Sequence, residues 1–504
     1  MLQMAMPPAE KSGLPHDCDS FGAKVSRTIH FETLGCRLNQ AESEGAARFF
    51  SDSGFLVTME PFTAKSFDEN VILCVVNTCT VTAKAEQKAR RIIRLLLKCC
   101  PNAAVAVTGC YAEVEQKEIQ SIDERVCVLR GQQKGSLADL PPILKNLLEK
   151  NPNLSGIEIS REIQKFFDKE NASSLQDKLA SPFRLATDVF LNHSRSSLKI
   201  QDGCNCACTY CRIRLARGKS VSLDARTVIE RVRALERAGQ SEVVITSVNI
   251  SQYASEYNGK KVRFAELLEL ILNATKKIGV RISSLYPEIV DEKLASVLEN
   301  PRVRPYFHIS VQSGSDRILA KMKRPYKIEA VYRATELLRK AKKNPFLACD
   351  IIAGFPSETS EDFDETMKML SDCGFTFVHA FPFSPRPGTE AFNMRPMVPN
   401  YETDKRIARL EEFNKKSKTA YISSFVGKTL PAVCESVHRA RLVRDRVIIH
   451  AVTENFLHCQ LVFSLNDTNI PKAGSVVQVK VIRPLAENER TGESDTLAVV
   501  SDPL

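Results

Sequence analysis

The chain has no tryptophan, no run of eighteen apolar residues, and no apolar stretch in its first twenty residues, MLQMAMPPAEKSGLPHDCDS. The missing long run predicts that no helix crosses a membrane. The missing apolar stretch argues against a secretion signal. Near the densest cysteine cluster there is no second C-x2-C pair and no histidine pair, which argues against a zinc knuckle there. The sixteen cysteines are therefore read as metal-binding or packing thiols of a cytoplasmic, reduced protein, not as disulfides.

Composition is globular, 43% hydrophobic and 26% charged, and 504 residues suggest about three domains. A net charge of +10 favours a polyanionic partner modestly and chooses none by itself. Residues 1–26 read as a disordered tail. Residues 27–150 read as an α/β domain with a parallel sheet, and 151–190 as a polar connector of low periodicity. Residues 191–424 read as a partial (β/α) barrel, and 425–504 as a small β-barrel.

The densest cysteine cluster is Asp202-Gly203-Cys204-Asn205-Cys206-Ala207-Cys208-Thr209-Tyr210-Cys211, in which Cys204-x3-Cys208-x2-Cys211 stands out. Three thiolates at that spacing can hold three irons of a [4Fe–4S] cube and leave the fourth open to a substrate-like ligand. Tyr210 is an aromatic able to lie against a bound adenine. Cys206 gains no ligand role from the spacing.

Upstream, one event happens three times. The apolar runs 29–34, 71–76 and 103–107 each end near a cysteine: Cys36, Cys79 and Cys110. In a parallel sheet those ends share one edge, so three residues far apart in sequence can meet there. A buried cysteine at a strand end is also a common small hydrophobe. The recurrence points to a second iron–sulfur site. Cys18, Cys74, Cys99, Cys100 and Cys127 have no such placement and read as core or surface thiols. The helix after the second strand is strongly basic (Lys84, Lys88, Arg90, Arg91, Arg94, Lys98).

From 195 to 400, about six βα units are expected, with strands near 197–200, 243–246, 281–284, 306–311, 346–352 and 377–381. Their ends offer Asn249, Ser283, Ser284, Gln312, Ser313 and Asp350 as site residues, although such residues are often caps and turns. After 425, alternating stretches at 429–435, 446–451, 457–462 and 475–481 read as an oligonucleotide-binding β-barrel. Its Arg439, Arg441, Arg444 and Arg446 are placed either to bind phosphate or to form a solvated edge.

The motifs TLGCRLNQAESE, NTCTVTAKAEQKARR, VTGCYAE, LKIQDGCNxxCTYC, HISVQSGSDRIL, DIIAGFPSET and FPFSPRPGTEA together resemble the radical S-adenosylmethionine (SAM) methylthiotransferases. The likeness runs from about residue 28 to the end and includes the family's carboxyl-terminal TRAM domain. Thr80-Val81-Thr82 and the 384–389 run SPRPGT are most similar to the branch acting on N6-threonylcarbamoyladenosine in tRNA. The resemblance implies a methylthio group added at C2 of that adenosine, just 3′ of the anticodon, with two SAM molecules consumed. It implies two [4Fe–4S] clusters. One, held by Cys36, Cys79 and Cys110, would supply sulfur. The other, held by Cys204, Cys208 and Cys211, would cleave SAM, with Tyr210, Asn249, Ser283, Gln312 and Asp350 as SAM contacts. It further implies tRNA, gripped at the anticodon arm, and an electron donor as partners. Other readings are methylthiolation of isopentenyladenosine or of a ribosomal-protein aspartate, and an iron–sulfur or zinc protein that merely binds RNA. Three departures from the family pattern lie near the expected SAM surface. Arg212-Ile213-Arg214 replaces Ile-Ile-Pro, Ser247 replaces glycine, and Tyr286 replaces an acid.

Overall fold

The computed structural model describes residues 27–170, 181–186, 195–435, 441–443, 446–464, 466–467 and 469–502. The expected tail and Cys18 lie outside the described residues, as do Arg439 and Arg444. Of Arg441 only the backbone is described.

The amino-terminal unit is an all-parallel sheet of β1 (Thr28–Thr33), β2 (Leu56–Thr58), β3 (Val71–Thr78), β4 (Ala104–Gly109) and β5 (Val126–Val128), in the order β2-β1-β3-β4-β5. Both faces are covered, which is why β3 and β4 are apolar without alternation. Leu73 and Val75 face α1 (Arg37–Asp52) through Ala46, Ala47 and Phe50. Cys74 and Val76 face α2 (Ala83–Cys99) through Ala89, Ile93 and Leu96. Two short helices follow, α3 (Cys110–Val114) and α4 (Gln116–Gln120), then α5 (Leu140–Lys150). The expected connector differs: it holds a helix, α6 (Gly156–Glu170). Ile159, Ile163 and Phe167, spaced i, i+4, i+8, are buried in the same core as α1.

The central unit carries β6 (Ser196–Asp202), β7 (Val221–Ser222), β8 (Glu242–Ser247), the hairpin β9 (Ser255–Tyr257) and β10 (Lys260–Val262), β11 (Gly279–Ile282), β12 (Ser284–Leu285), β13 (Tyr306–Gln312), β14 (Phe346–Ala353) and β15 (Phe377–Pro382). Two sheets form, β11-β8-β6-β7 and β12-β13-β14-β15, and the chain steps from one to the other at Ser283. With β11 and β12 taken as one interrupted strand, the six expected parallel strands are all present. The intervening helices are amphipathic. The helix Ala225–Arg237 starts where the Asp224 carboxylate accepts the Thr227 N–H, and it buries Val228, Ile229, Val232 and Leu235.

After the helix Asn400–Ser423 come β16 (Thr429–Cys434), β17 (Arg441–Val443), β18 (Arg446–Thr453), β19 (His458–Ser464), β20 (Val476–Pro484) and β21 (Thr496–Asp502). Pairings β16-β20-β21-β19-β18-β16 close a five-stranded barrel, with β17 appended to β18. Strand β21 was not expected from the sequence, and it is the strand that completes the ring. Among the described residues no helix is long and apolar enough to cross a membrane.

Candidate active site

Strands β1, β3 and β4 are neighbours in register, with Thr33 beside Asn77 and Asn77 beside Thr108. Their carboxyl ends therefore deliver Cys36, Cys79 and Cys110 to one edge. Cys36 caps α1, Cys79 follows β3 directly, and Cys110 opens α3. Asparagines brace the Cys36 and Cys79 loops, and Thr78 Oγ1, which donates to Thr108 O at 2.5 Å, ties them to the third. Asn39 Nδ2 donates to Leu34 O at 2.8 Å and to Thr78 O at 3.0 Å, and Asn77 Nδ2 donates to Asn39 O at 3.0 Å. Gly35 (φ +104°) is required, since a Cβ there would stand 2.7 Å from Cys79 Cβ. Burial pushes the Cys79 thiol up to about 11, and proximity of Cys110 and Cys36 adds to the shift.

The second triad sits on one loop between β6 and the helix Ile213–Arg217. Gly203 (φ +67°) lets that loop pass Lys219, whose carbonyl oxygen lies 2.0 Å from where a Cβ would be. Each sulfur accepts a hydrogen bond. Cys204 receives the Cys206 N–H at 3.4 Å and Asn249 Nδ2 at 3.9 Å, Cys208 receives Arg324 Nη1 at 3.3 Å, and Cys211 receives the Ile213 N–H at 3.4 Å. The Cys204 thiol falls to about 6, chiefly through its hydrogen bond with the Cys206 thiol. Cys208 also falls to about 6 through Cys206, with the Arg324 charge assisting. Burial pushes Cys211 up to about 12. Cys206 itself accepts from Gln252 Nε2 at 3.2 Å and Asn249 Nδ2 at 3.5 Å, so it is held inside the loop as a bridge between two ligand candidates.

Both triads line one cavity of about 440 Å³. In the loop triad the donor set fits iron–sulfur ligation: three thiols, each with an N–H donor that stabilises negative sulfur. Tyr210, Ser284, Gln312 and Asp350 also line the cavity, and Gln312 does so from a left-handed backbone (φ 71°). Asn249 and Ser283 do not line it. Asn249 is buried behind the loop, where its side chain caps the turn Ile250–Gln252 and holds the Cys204 and Cys206 sulfurs. The Ser283 hydroxyl is buried at the step between the two sheets, without a hydrogen-bond partner. Ser313 accepts the Ser315 N–H and serves a turn. No sequence motif marks Arg324. It stacks over Tyr286 (4.4 Å) and Tyr326 (5.0 Å) and donates to Ser310 O, so Tyr286, which departs from the family pattern, meets this cation through its ring.

Two buried ion clusters join the triads. Glu42 of α1 takes Lys134 (2.5 Å), Lys199 (2.6 Å) and Arg217 (3.2 Å), and Asp202 of β6 takes Lys199 (2.8 Å) and Arg217 (2.9 Å). Burial would raise the Glu42 pKa, but Arg217, Lys134 and Lys199 hold it well below the ordinary carboxylate range. In the second cluster, Glu86 of α2 is bonded by Thr80, Arg386 and Arg212, the last at 3.2 Å. Thr80 follows Cys79 and Arg212 follows Cys211, so one carboxylate connects a cysteine loop of each triad.

A family model for the Radical SAM superfamily matches residues 198–370, and one described as Uncharacterized protein family UPF0004 matches residues 28–131. The chain is 42% identical over 492 residues to a threonylcarbamoyladenosine tRNA methylthiotransferase MtaB of Treponema pallidum, covering 90% of this chain and 98% of that protein. It is 32% identical to the protein of the same name from Thermotoga maritima, covering 81% and 87%. Among solved structures it is similar to the radical S-adenosylmethionine methyltransferase TsrM of Kitasatospora setae, with 15% identity, a TM-score of 0.47 and coverage of 73% and 77%.

Proposed function

The chain belongs to the radical-SAM methylthiotransferases, in the branch of the threonylcarbamoyladenosine tRNA methylthiotransferases, and we propose that it adds a methylthio group to C2 of N6-threonylcarbamoyladenosine beside the tRNA anticodon. The observation that carries this reading is the single cavity lined by both cysteine triads. An aromatic C–H offers neither an acidic proton nor a leaving group, so opening it calls for a radical and a sulfur source at the same carbon. Cys204, Cys208 and Cys211 would hold the cluster that, when bound, supplies the electron for splitting SAM into a 5′-deoxyadenosyl radical. Cys36, Cys79 and Cys110 would hold a second cluster, the place of sulfur supply.

The protein's own groups do the rest. Arg324 and Asn249 donate to the Cys208 and Cys204 sulfurs and stabilise their negative charge. The Glu42 and Glu86 clusters fix the two triads against a common space. Tyr210, Ser284, Gln312 and Asp350 form the SAM-facing wall. Val81, Phe381 and Phe383 form an apolar wall suited to a flat purine and to the exclusion of water. Along α2, which starts at the cavity, Lys84, Lys88, Arg91, Arg94 and Lys98 have no acidic partner among the described residues. That face, with the carboxyl-terminal barrel, would hold the phosphates of the anticodon arm. The reaction takes place in the cytoplasm with an electron donor as further partner.

The test uses host cells lacking their own methylthiotransferase, supplied with this chain or with Cys208→Ala. Nucleosides from digested tRNA are then weighed by mass spectrometry. The expected result is the methylthio mass on threonylcarbamoyladenosine with the intact chain only. The same mass on isopentenyladenosine would overturn the substrate, and no change in either nucleoside would overturn tRNA as the substrate.

A further inference from the structure

Three arginines line the cavity, and two are fully engaged. Arg217 donates to Asp202 at 2.9 Å, Glu42 at 3.2 Å and Asn39 at 2.7 Å. Arg324 donates to Tyr286, Tyr326, Ser310 and the Cys208 sulfur. The third, Arg214, has no side-chain hydrogen-bond or ion-pair partner among the described residues, and it is exposed. The one acid lining the cavity, Asp350, already has a partner in His308 Nε2 at 3.2 Å. Among the described residues, Arg214 is thus the charged side chain of the cavity left without a partner, and it is positive.

That charge stands three residues beyond Cys211, on the short helix Ile213–Arg217 that emerges from the cysteine loop. The helix is anchored on both sides of Arg214: Arg212 by Glu86 and Glu115, and Arg217 by the Glu42 cluster. Arg214 is therefore presented from a fixed backbone, with its side chain free. A guanidinium in that state is suited to bidentate pairing with a carboxylate. The threonylcarbamoyl group attaches threonine through its amine, which leaves the α-carboxylate ionised and available. An isopentenyl group is a hydrocarbon with no such handle.

We propose that Arg214 pairs with the threonyl carboxylate of the modified adenosine and so selects this substrate over its uncharged counterparts. The inference rests on the threonylcarbamoyladenosine reading above. It also gives a role to one departure from the family pattern, the arginine standing where proline is common.

The test is a double exchange, one change in the protein and one in the RNA. Full-length, anaerobically reconstituted protein is titrated with two synthetic anticodon stem-loops. One carries N6-threonylcarbamoyladenosine; in the other, threoninol replaces threonine, so the carboxylate becomes a hydroxymethyl group. The wild type should prefer the carboxylate stem-loop by about 10- to 100-fold in Kd, the range for a hydrogen bond to a charged group. Arg214→Gln should bring the two Kd values to within about twofold of each other, and Arg214→Lys should restore part of the preference. Equal weakening of both stem-loops by Arg214→Gln would identify a phosphate contact and overturn the proposal, as would full discrimination retained in that variant. Methylthio product on the carboxylate stem-loop is measured alongside. If the wild type forms none, the functional reading itself falls. If it forms product and Arg214→Gln still discriminates, only the role of Arg214 falls.

Discussion

The two cysteine triads reach one cavity by opposite routes. Cys204, Cys208 and Cys211 share a loop, so their relative positions are set by a few backbone angles and by Gly203. Cys36, Cys79 and Cys110 are set by the register of three parallel strands, by Gly35, and by the asparagine braces between the loops. The loop triad carries its own donors and contains two thiols lowered to about 6. In the strand-end triad, burial and sulfur neighbours raise Cys79. A local motif keeps its geometry when the surrounding fold loosens, whereas a topological one exists only while the sheet edge does. The strand-end triad should therefore be the more fragile of the two.

The largest expected effect separates the triads by product. Cys208→Ala should abolish both 5′-deoxyadenosine formation and methylthiolation. Cys79→Ala should abolish methylthiolation, while SAM cleavage at the other triad continues. Each variant should hold about four irons where the intact protein holds about eight. Iron assay and chromatography of the SAM products check this. Loss of 5′-deoxyadenosine in both variants, with half the iron kept, would mean that the triads are not separable.

The same contrast governs what the sequence discloses. The loop triad is legible from spacing alone, because its chemistry is written in consecutive residues. The strand-end triad is legible only as a recurrence of apolar run followed by cysteine, and it needs the parallel order β1-β3-β4 to become a site. Helix α6 carries a readable stripe, Ile159, Ile163 and Phe167, but acids and bases outnumber the apolar residues around it, and the segment reads as linker. Strand β21 is a short apolar run after the polar stretch ENERTGESD, and only its pairing with β19 and β20 reveals its importance. Arg324 had no signal of its own, since its meaning comes from Tyr286 and Cys208, neither of which is near it in sequence.

A smaller effect is expected where the two routes are joined. Glu42 is buried among Lys134, Lys199 and Arg217, and removing its charge leaves Lys134 without its counter-charge and Lys199 and Arg217 with Asp202 alone. Glu42→Gln should cost about 3–5 kcal/mol, the range for breaking a buried ion cluster from one side. Because the cluster links α1 to β6, the loss should fall on the docking of the amino-terminal unit against the central one. Thermal unfolding followed by iron absorbance and by limited proteolysis of the full chain reads both. A variant as stable as the intact protein would show that the ion cluster does not hold the triads together.

The smallest effect is the sharpest on the geometry of the strand-end triad. Gly35 and Gly54 both have positive φ, +104° and +88°, so alanine at either strains the backbone by about 1–3 kcal/mol. They differ in what a new Cβ would meet. At Gly54 nothing lies within 4 Å, whereas at Gly35 the Cβ would stand 2.7 Å from Cys79 Cβ and 3.1 Å from its sulfur. Backbone strain alone should therefore lower the melting temperature of both variants by similar amounts. Only Gly35→Ala should also displace a ligand sulfur and lose iron from the strand-end triad, while 5′-deoxyadenosine formation persists at the loop triad. Equal iron in the two variants would mean that the approach of Gly35 to Cys79 is packing without consequence for the cluster, and that the strand-end triad is less dependent on its surroundings than its assembly implies.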